Sequence, residues 1–514
     1  EHTRFYSTKA LTTTRAMGML GNSVRGLTPM QKRLLYRSCV VPIMTYGLRL
    51  WHFKGARVKG VIKTLAQVQS IAARWILGAF RTTPIGGLES IAGLLPMQLL
   101  LRRLVDRGVF RTPLLAPSHP LRAILGPNHV GTTHSHELGL WRGNVLDTLN
   151  LQGPSVASAA ALALVPGDEL DPFGEENTPG NRVKDLFPTR FSSHRLTSKE
   201  DGARNSYRSD LDKAWASAQV EEDTLVVAVD ASVPTDAKFQ AVACALVFGQ
   251  GEQVDRVVSA AGRRTPLEVE LFALQLGVSA ACSRGGKKLV IFSDSTTGIE
   301  SLIDPKPRSG QIFALDACRS LCPWLAGDEE RNVTFWHVPS KFEWNVHKMA
   351  HDVATSTKIS VGRHPRTSLD YLRNQVEKAV CKDWHTRFAD PAYRGQHFYQ
   401  LKGVGGKPVL PSTHKGGPWL KAMGSNTTLT SHSTRMITGH APIGEYRQRL
   451  SLDGEYQCWC LGPDIQTRDH LLRVCPKVDR KETCASPDSV EGFNEFMDNN
   501  PALGSFNSLA WDPG

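Results

Sequence analysis

Apolar and polar positions divide the 514-residue chain into stretches of different period. Between 222 and 358, short apolar runs at 224–231, 240–248, 254–260, 288–293 and 332–338 read as strands. Helical patterns fill 267–283, 345–357 and the stretch between 296 and 325. Strands alternating with helices predict an α/β layer fold. Residues 1–125 carry a helical period instead. Thr28-Pro29-Met30-Gln31 has the form of a capping box with Pro at the first helical position. A helix is expected to run on from there, kinked near Pro42. In the next helical stretch Val61, Ile62, Leu65, Val68, Ile71, Ala72 and Trp75 form one stripe, expected to face a core. Residues 126–221 are rich in Pro, Gly, Ser and charge and read as a linker with one short helix. Residues 359–430 read as a helical linker, 431–485 as a small module and 486–514 as a tail.

Charge sharpens this division. The net charge is +12, but residues 1–125 hold 19 Lys/Arg against 3 Asp/Glu, so the remainder is slightly acidic. A concentrated basic segment suits a phosphate backbone, although solvated helix faces give the same count. No apolar run is long enough to span a membrane. Ten thinly spread cysteines, no initiator Met and no secretory leader at Glu1 point to an intracellular protein, nuclear or cytoplasmic and not secreted. The chain is expected to be a piece of a longer one. Its oligomeric state is left open.

The candidate chemistry sits at the strand ends. Asp230 ends TLVVAVDAS, Glu270 lies in VELFALQLGVSAA, Asp294 follows KLVIFSDS, and Asp352 lies in HKMAHDVA after NVTFWHV. A lone Asp after a strand reads as a turn residue or a helix cap. Four acids in this order can crowd together only if cations neutralise them. Two Mg²⁺ (or Mn²⁺) ions about 4 Å apart would do so and would drive in-line phosphodiester cleavage. Glu268 competes with Glu270; it is read as a solvated first-turn acid favoured by the helix dipole.

The motifs VDAS, TPLEVELFAL, FSDS, and WHVPS followed by AHD resemble an RNase H type 1 domain over residues 222–358. The resemblance implies a five-stranded mixed sheet with flanking helices. It also implies hydrolysis of the RNA strand of an RNA–DNA hybrid, with Asp230, Glu270, Asp294 and Asp352 as catalytic metal ligands. Two positions depart from the family: Ala231 stands where many members have Gly, and Lys341 stands about where many carry a mobile His. The second departure bears on product release or proton handling. The N-terminal stretch RFYSTKALTTTRAMGMLGNSVRGLTPMQKRLLYRSCVVPIMTYGLRLW is similar to the region after the palm in reverse transcriptases of LINE-like, non-LTR retrotransposons of fungi. That likeness implies a thumb-like helical region and retroelement RNA as a partner; the paired Asp motif of a polymerase palm is absent from the sequence.

A second constellation follows, Cys458-Trp459-Cys460 with His470 and Cys475. Three thiolates and an imidazole complete a tetrahedral Zn²⁺ shell with no open position, so this zinc would be structural. The spacing C-x-C is short, but LINE-like proteins often end in such a CCHC zinc knuckle. Cys484 is a spare thiol. Arg435, Arg447, Arg449 and Arg468, with Tyr446 and Trp459, are candidates for single-stranded nucleic acid contacts. Two other readings stay open. One is a catalytically inactive nucleic-acid-binding remnant. The other is a strand-transfer site, against which the position of Glu270 between the first two Asp residues argues.

Overall fold

The computed structural model describes residues 1–52, 59–109, 180–198, 200–361, 367–452, 456–460, 462, 464–480 and 486–505. They fall into two compact units, which are described separately. One comprises 1–108 and 376–514 with part of the intervening chain; the other includes 153–375. Residues 126–179 of the expected linker, and Cys484, lie outside the described residues.

The first unit is helical. Thr28 caps the helix Pro29–Leu35 through the expected box with Gln31. Instead of kinking at Pro42, the chain widens into a π turn over Tyr36–Val40 before the short helix Val41–Met44. The wider turn removes the clash that Pro42 would make with a regular preceding turn. The helix Lys59–Leu77 buries Leu65, Val68 and Ala72 of the expected stripe, together with Gln69, Ala73, Ile76 and Leu77. Val61, Ile62, Ile71 and Trp75 are only half-buried. Residues 376–430, read as a linker, belong to this same unit. Arg33 explains part of that packing: its guanidinium donates to the carbonyls of Ala92, Gly93 and Thr413.

The second unit is a mixed sheet covered by helices. Its strands are β1 (Phe191–His194), β2 (Thr224–Ser232), β3 (Ala241–Gly249), β4 (Glu252–Gly262), β5 (Lys288–Ser293) and β6 (Asn332–His337). The order is β1-β6-β5-β2-β3-β4. β2 pairs antiparallel with β3 and β3 with β4, whereas β2–β5, β5–β6 and β6–β1 are parallel. The sheet therefore has six strands where the family resemblance implied five. The sixth, β1, comes from the stretch read as a linker, as does the helix Asp201–Val220. Tyr207 of that helix ties the edge together, donating its hydroxyl to the carbonyls of His194 and His337.

Both faces of the sheet are covered, so the central strands are apolar on both sides. Val227, Val229, Ala243 and Ala245 pack under the helix Pro266–Arg284 with the helix Gln311–Ala326. On the opposite face Val226, Ala228, Cys244 and Leu246 pack against Tyr207, Leu211, Trp344, Ala350 and Ala354. Gly277 sets the closeness of the first helix. A Cβ there would lie 2.5 Å from Val227 Cγ1 and 3.0 Å from Val229 Cγ1. Glu270 stands two helical turns before Gly277, hence on the same face, toward the end of β2. Among the described residues no helix is long and apolar enough to cross a membrane.

Candidate metal centre and active site

β2 and β5 are adjacent and parallel, so the residues at their C-terminal ends meet at one edge of the sheet. Asp230 is near the C-terminal end of β2 and Asp294 directly follows β5. The carboxylate of Asp230 is 6% exposed and that of Asp294 24%. Burial, reinforced by the charge of Asp294, pushes the Asp230 carboxyl up to about 7. Glu270 reaches the same place from the helix Pro266–Arg284. Burial also raises its carboxyl, opposed by a hydrogen bond from Ser295 and reinforced by Asp294. Two carboxyls that resist ionisation beside the Asp294 carboxylate form a site that gains from a bound cation.

The fourth acid is the most exposed of the four. Asp352 lies on the helix Asn345–Ser356 with its side chain 61% exposed, 3.8 Å from Lys348 one turn back. The reason is helical phase. Val346, His347, Ala350 and Ala354 are the buried residues of this helix, and a 3.6-residue period turns position 352 away from that face. Two histidines of this helix approach the acids, His347 buried and His351 exposed. His347 Nε2 lies 3.5 Å from Asp230 Oδ1 and 4.0 Å from Asp294 Oδ1. His351 Nδ1 lies 3.1 Å from Asp230 Oδ2. Burial pulls the His347 imidazole below the usual histidine range, which keeps it neutral and able to donate a lone pair to a metal. Ligand atoms of Asp230, Asp294 and His347 all lie within 4.8 Å of one another. The sequence signal for these histidines is a pair four residues apart on a helix beside the acids. His337, at the end of β6, braces the same corner with its Nε2 3.1 Å from the carbonyl oxygen of Asp294.

Glu268 is not solvated. It closes a capping box with Thr265 and accepts hydrogen bonds from the Thr265 and Ser368 hydroxyls. Its carboxyl is 4% exposed, and burial raises its pKa. Lys341 is exposed in a single 3₁₀ turn, Ser340–Phe342, after β6.

The second cluster is in the other unit. Cys458 and Cys460 flank a turn, and His470 lies in the first turn of the helix Arg468–Arg473. Cys475 lies beyond that helix. The helix stops at Arg473, and the chain folds back so that the Cys475 amide donates to the His470 carbonyl. Cys458 Sγ and Cys475 Sγ are 3.5 Å apart, and Cys460 Sγ is 3.4 Å from His470 Nε2. All four ligand atoms lie within 4.8 Å of one another. With bonds of about 2.0–2.3 Å to a central ion, these separations fit a tetrahedral zinc shell. His470 Nδ1 faces Asp464 Oδ2 at 3.7 Å, on the side a supporting carboxylate would occupy.

Several residues read as nucleic-acid contacts are spent inside the unit. Arg435 donates to the carbonyls of Gly78 and Gly504, and Arg468 to those of His397 and Met436. Arg449 donates to the Gly439 carbonyl, and Tyr446 is buried with its hydroxyl 3.2 Å from that of Thr82. The three arginines thus satisfy backbone carbonyls within this unit.

No family model matches the chain, and no curated protein sequence does. Solved structures similar to part of it include RNase H1 from the halophilic archaeon Halobacterium salinarum NRC-1, at 17% identity. That match covers 26% of this chain and 98% of the other, with a TM-score of 0.21. The N-terminal RNase H domain of rv2228c from Mycobacterium tuberculosis, solved as a fusion with maltose-binding protein, matches at 17% identity. It covers 26% of this chain and 96% of the other, with a TM-score of 0.20. The PFV RNase H domain matches at 15% identity over 26% of this chain and 91% of its own, with a TM-score of 0.20.

Proposed function

We propose that this chain is a metal-dependent endonuclease that hydrolyses the RNA strand of RNA–DNA hybrids, as part of a retrotransposon-derived polyprotein. The observation that carries the reading is the convergence of Asp230, Glu270 and Asp294 at the C-terminal ends of β2 and β5, with two carboxyls held in protonation-prone surroundings. Divalent ions bound by these acids, Mg²⁺ or Mn²⁺, would activate an attacking water and stabilise the leaving 3′ oxygen. Asp230 and Asp294 hold their places through strand pairing, and Glu270 through the Gly277 contact. His351 fixes the orientation of the Asp230 carboxylate. The substrate would be recognised by the shape of the hybrid and its 2′-hydroxyl groups rather than by sequence. The Cys458, Cys460, His470, Cys475 cluster would hold a structural Zn²⁺ that couples metal binding to local folding.

A second reading, an inactive nucleic-acid-binding remnant, is favoured by one observation: the Asp352 side chain is largely exposed and lies 3.8 Å from Lys348. A single assay separates the two. Purified chain is incubated with labelled RNA–DNA hybrid in Mg²⁺, in Mn²⁺ and with chelator. Metal-dependent shortening of the RNA strand alone supports the nuclease. Hybrid binding without cleavage in either metal supports the remnant.

A further inference from the structure

We propose that His347 is a direct metal ligand, so that the centre at the end of β2 and β5 is a mixed carboxylate–imidazole site and favours Mn²⁺ over Mg²⁺. The inference deepens the nuclease reading, on which its catalytic meaning rests, but it makes its own claim about which atoms hold the ion.

The first observation is an orphaned atom. His347 Nε2 is buried and has no hydrogen-bond partner among the described residues. Its side chain is only 8% exposed. A buried imidazole nitrogen without a partner is costly, and this one is aimed between two carboxylate oxygens, 3.5 and 4.0 Å away. Those separations are too long for hydrogen bonds but suit neighbouring ligands on one cation. The second observation is division of labour on Asp230. His351 Nδ1 engages Oδ2 at 3.1 Å, which leaves Oδ1 for the side that His347 faces. His351 is therefore a positioning residue of the kind that orients a ligating carboxylate. The third is the helix itself. His347 and His351 are one turn apart, and Ala350 and Ala354 between and beyond them are fully buried, so small side chains let this turn approach β2.

The consequence is metal choice. Mg²⁺ is a hard ion that prefers oxygen ligands and near-ideal octahedral geometry. An imidazole in place of a carboxylate removes one negative charge and adds a borderline donor, which suits Mn²⁺ and later divalent ions better. A site built from carboxylates alone would carry less of this bias.

The test uses the full chain, stripped with chelator and reloaded with one equivalent of Zn²⁺ to fill the cysteine cluster. Mn²⁺ and Mg²⁺ affinities are measured by titration calorimetry. The bound Mn²⁺ is examined by electron spin-echo modulation for a coupled ¹⁴N nucleus. The expected result is imidazole ¹⁴N modulation in the parent and its loss in His347→Asn. Mn²⁺ affinity should fall by about tenfold or more, and Mg²⁺ affinity by less. His347→Gln, which fills more of the space, serves if the Asn variant unfolds. A parent spectrum without ¹⁴N modulation overturns the proposal, and so does modulation that persists unchanged in a folded His347 variant. Cleavage of hybrid by a nitrogen-free centre would sink this inference and leave the nuclease standing. Nitrogen-bound Mn²⁺ without cleavage would do the reverse.

Discussion

Glu89 gives a prediction whose size follows from the structure. Its carboxylate is buried at the core of the helical unit, accepting hydrogen bonds from Gln69 Nε2 at 2.6 Å and from the Tyr393 hydroxyl at 2.7 Å. Burial outweighs these bonds and pushes the carboxyl from 4.5 up to about 7. The folded chain thus keeps a proton that the unfolded chain has released between those two values. Its contribution to stability is complete below about pH 4.5 and is lost as pH rises through 7. At 1.36 kcal/mol per pH unit, the loss reaches about 3 kcal/mol. Glu89→Gln replaces the neutral acid with an amide of the same shape. Its oxygen can accept from Gln69, and its NH₂ can donate to the Tyr393 phenol oxygen. The variant should match the parent near pH 4 and exceed it at pH 8 by up to about 3 kcal/mol. Hydrogen exchange of the amides in the helix Ile85–Ile91, compared between parent and variant at each pH, reads this locally, which suits a chain of two units. A parent–variant difference that stays flat from pH 4 to 8 would refute the reasoning, because it would mean that Glu89 is ionised at no cost.

Asp294→Asn should reduce hybrid cleavage by more than the roughly 100-fold upper range for outer-shell partners of a metal, with circular dichroism unchanged. Asp352→Asn should leave the rate within about threefold, since an exposed residue at that helical phase is replaced at little cost; equal losses from the two variants would return Asp352 to the site. Elemental analysis should find one Zn²⁺ in the parent, and Cys475→Ser should hold it at least about tenfold more weakly; retention at parental affinity would remove Cys475 from the shell. Gly277→Ala should destabilise the second unit by about 1–3 kcal/mol in thermal unfolding, because the added methyl meets Val227 and Val229, and should lower Mn²⁺ affinity by displacing Glu270.

The legible part of this protein was the part written in runs. β2, β3 and β5 announce themselves as apolar runs because both faces of the sheet are covered, whereas β6 alternates Val333 and Phe335 with Asn332 and Thr334. β1 was missed for a local reason. Phe191-Ser192-Ser193-His194 has one half-buried residue and three exposed ones, and its order comes from pairing with β6, which no local pattern records. The helix Asp201–Val220 buries only Tyr207, Leu211 and Ala218 among its twenty residues, too few for an apolar stripe. At the site, Asp230, Glu270 and Asp294 were readable because each follows directly from a strand end or a helix start. The contribution of the helix Asn345–Ser356 depended instead on rotational phase, which tertiary packing of Ala350 and Ala354 decides. On that helix His347 is buried beside the acids, whereas His351 and Asp352 are exposed.

The parallel pairing of β1 with β6 bears on how this protein should be cut. A fragment beginning at 222, where the sequence motifs begin, would strip β1 and the helix Asp201–Val220 together. β6 would then become an open edge, with its backbone donors and acceptors bare, and Val226, Phe248 and Trp344 would lose their cover. Such an edge is a template for pairing with another copy, the usual start of aggregation. Insolubility of that fragment would reflect the missing edge guard rather than an unfoldable catalytic core, and a start near 180 keeps the guard in place.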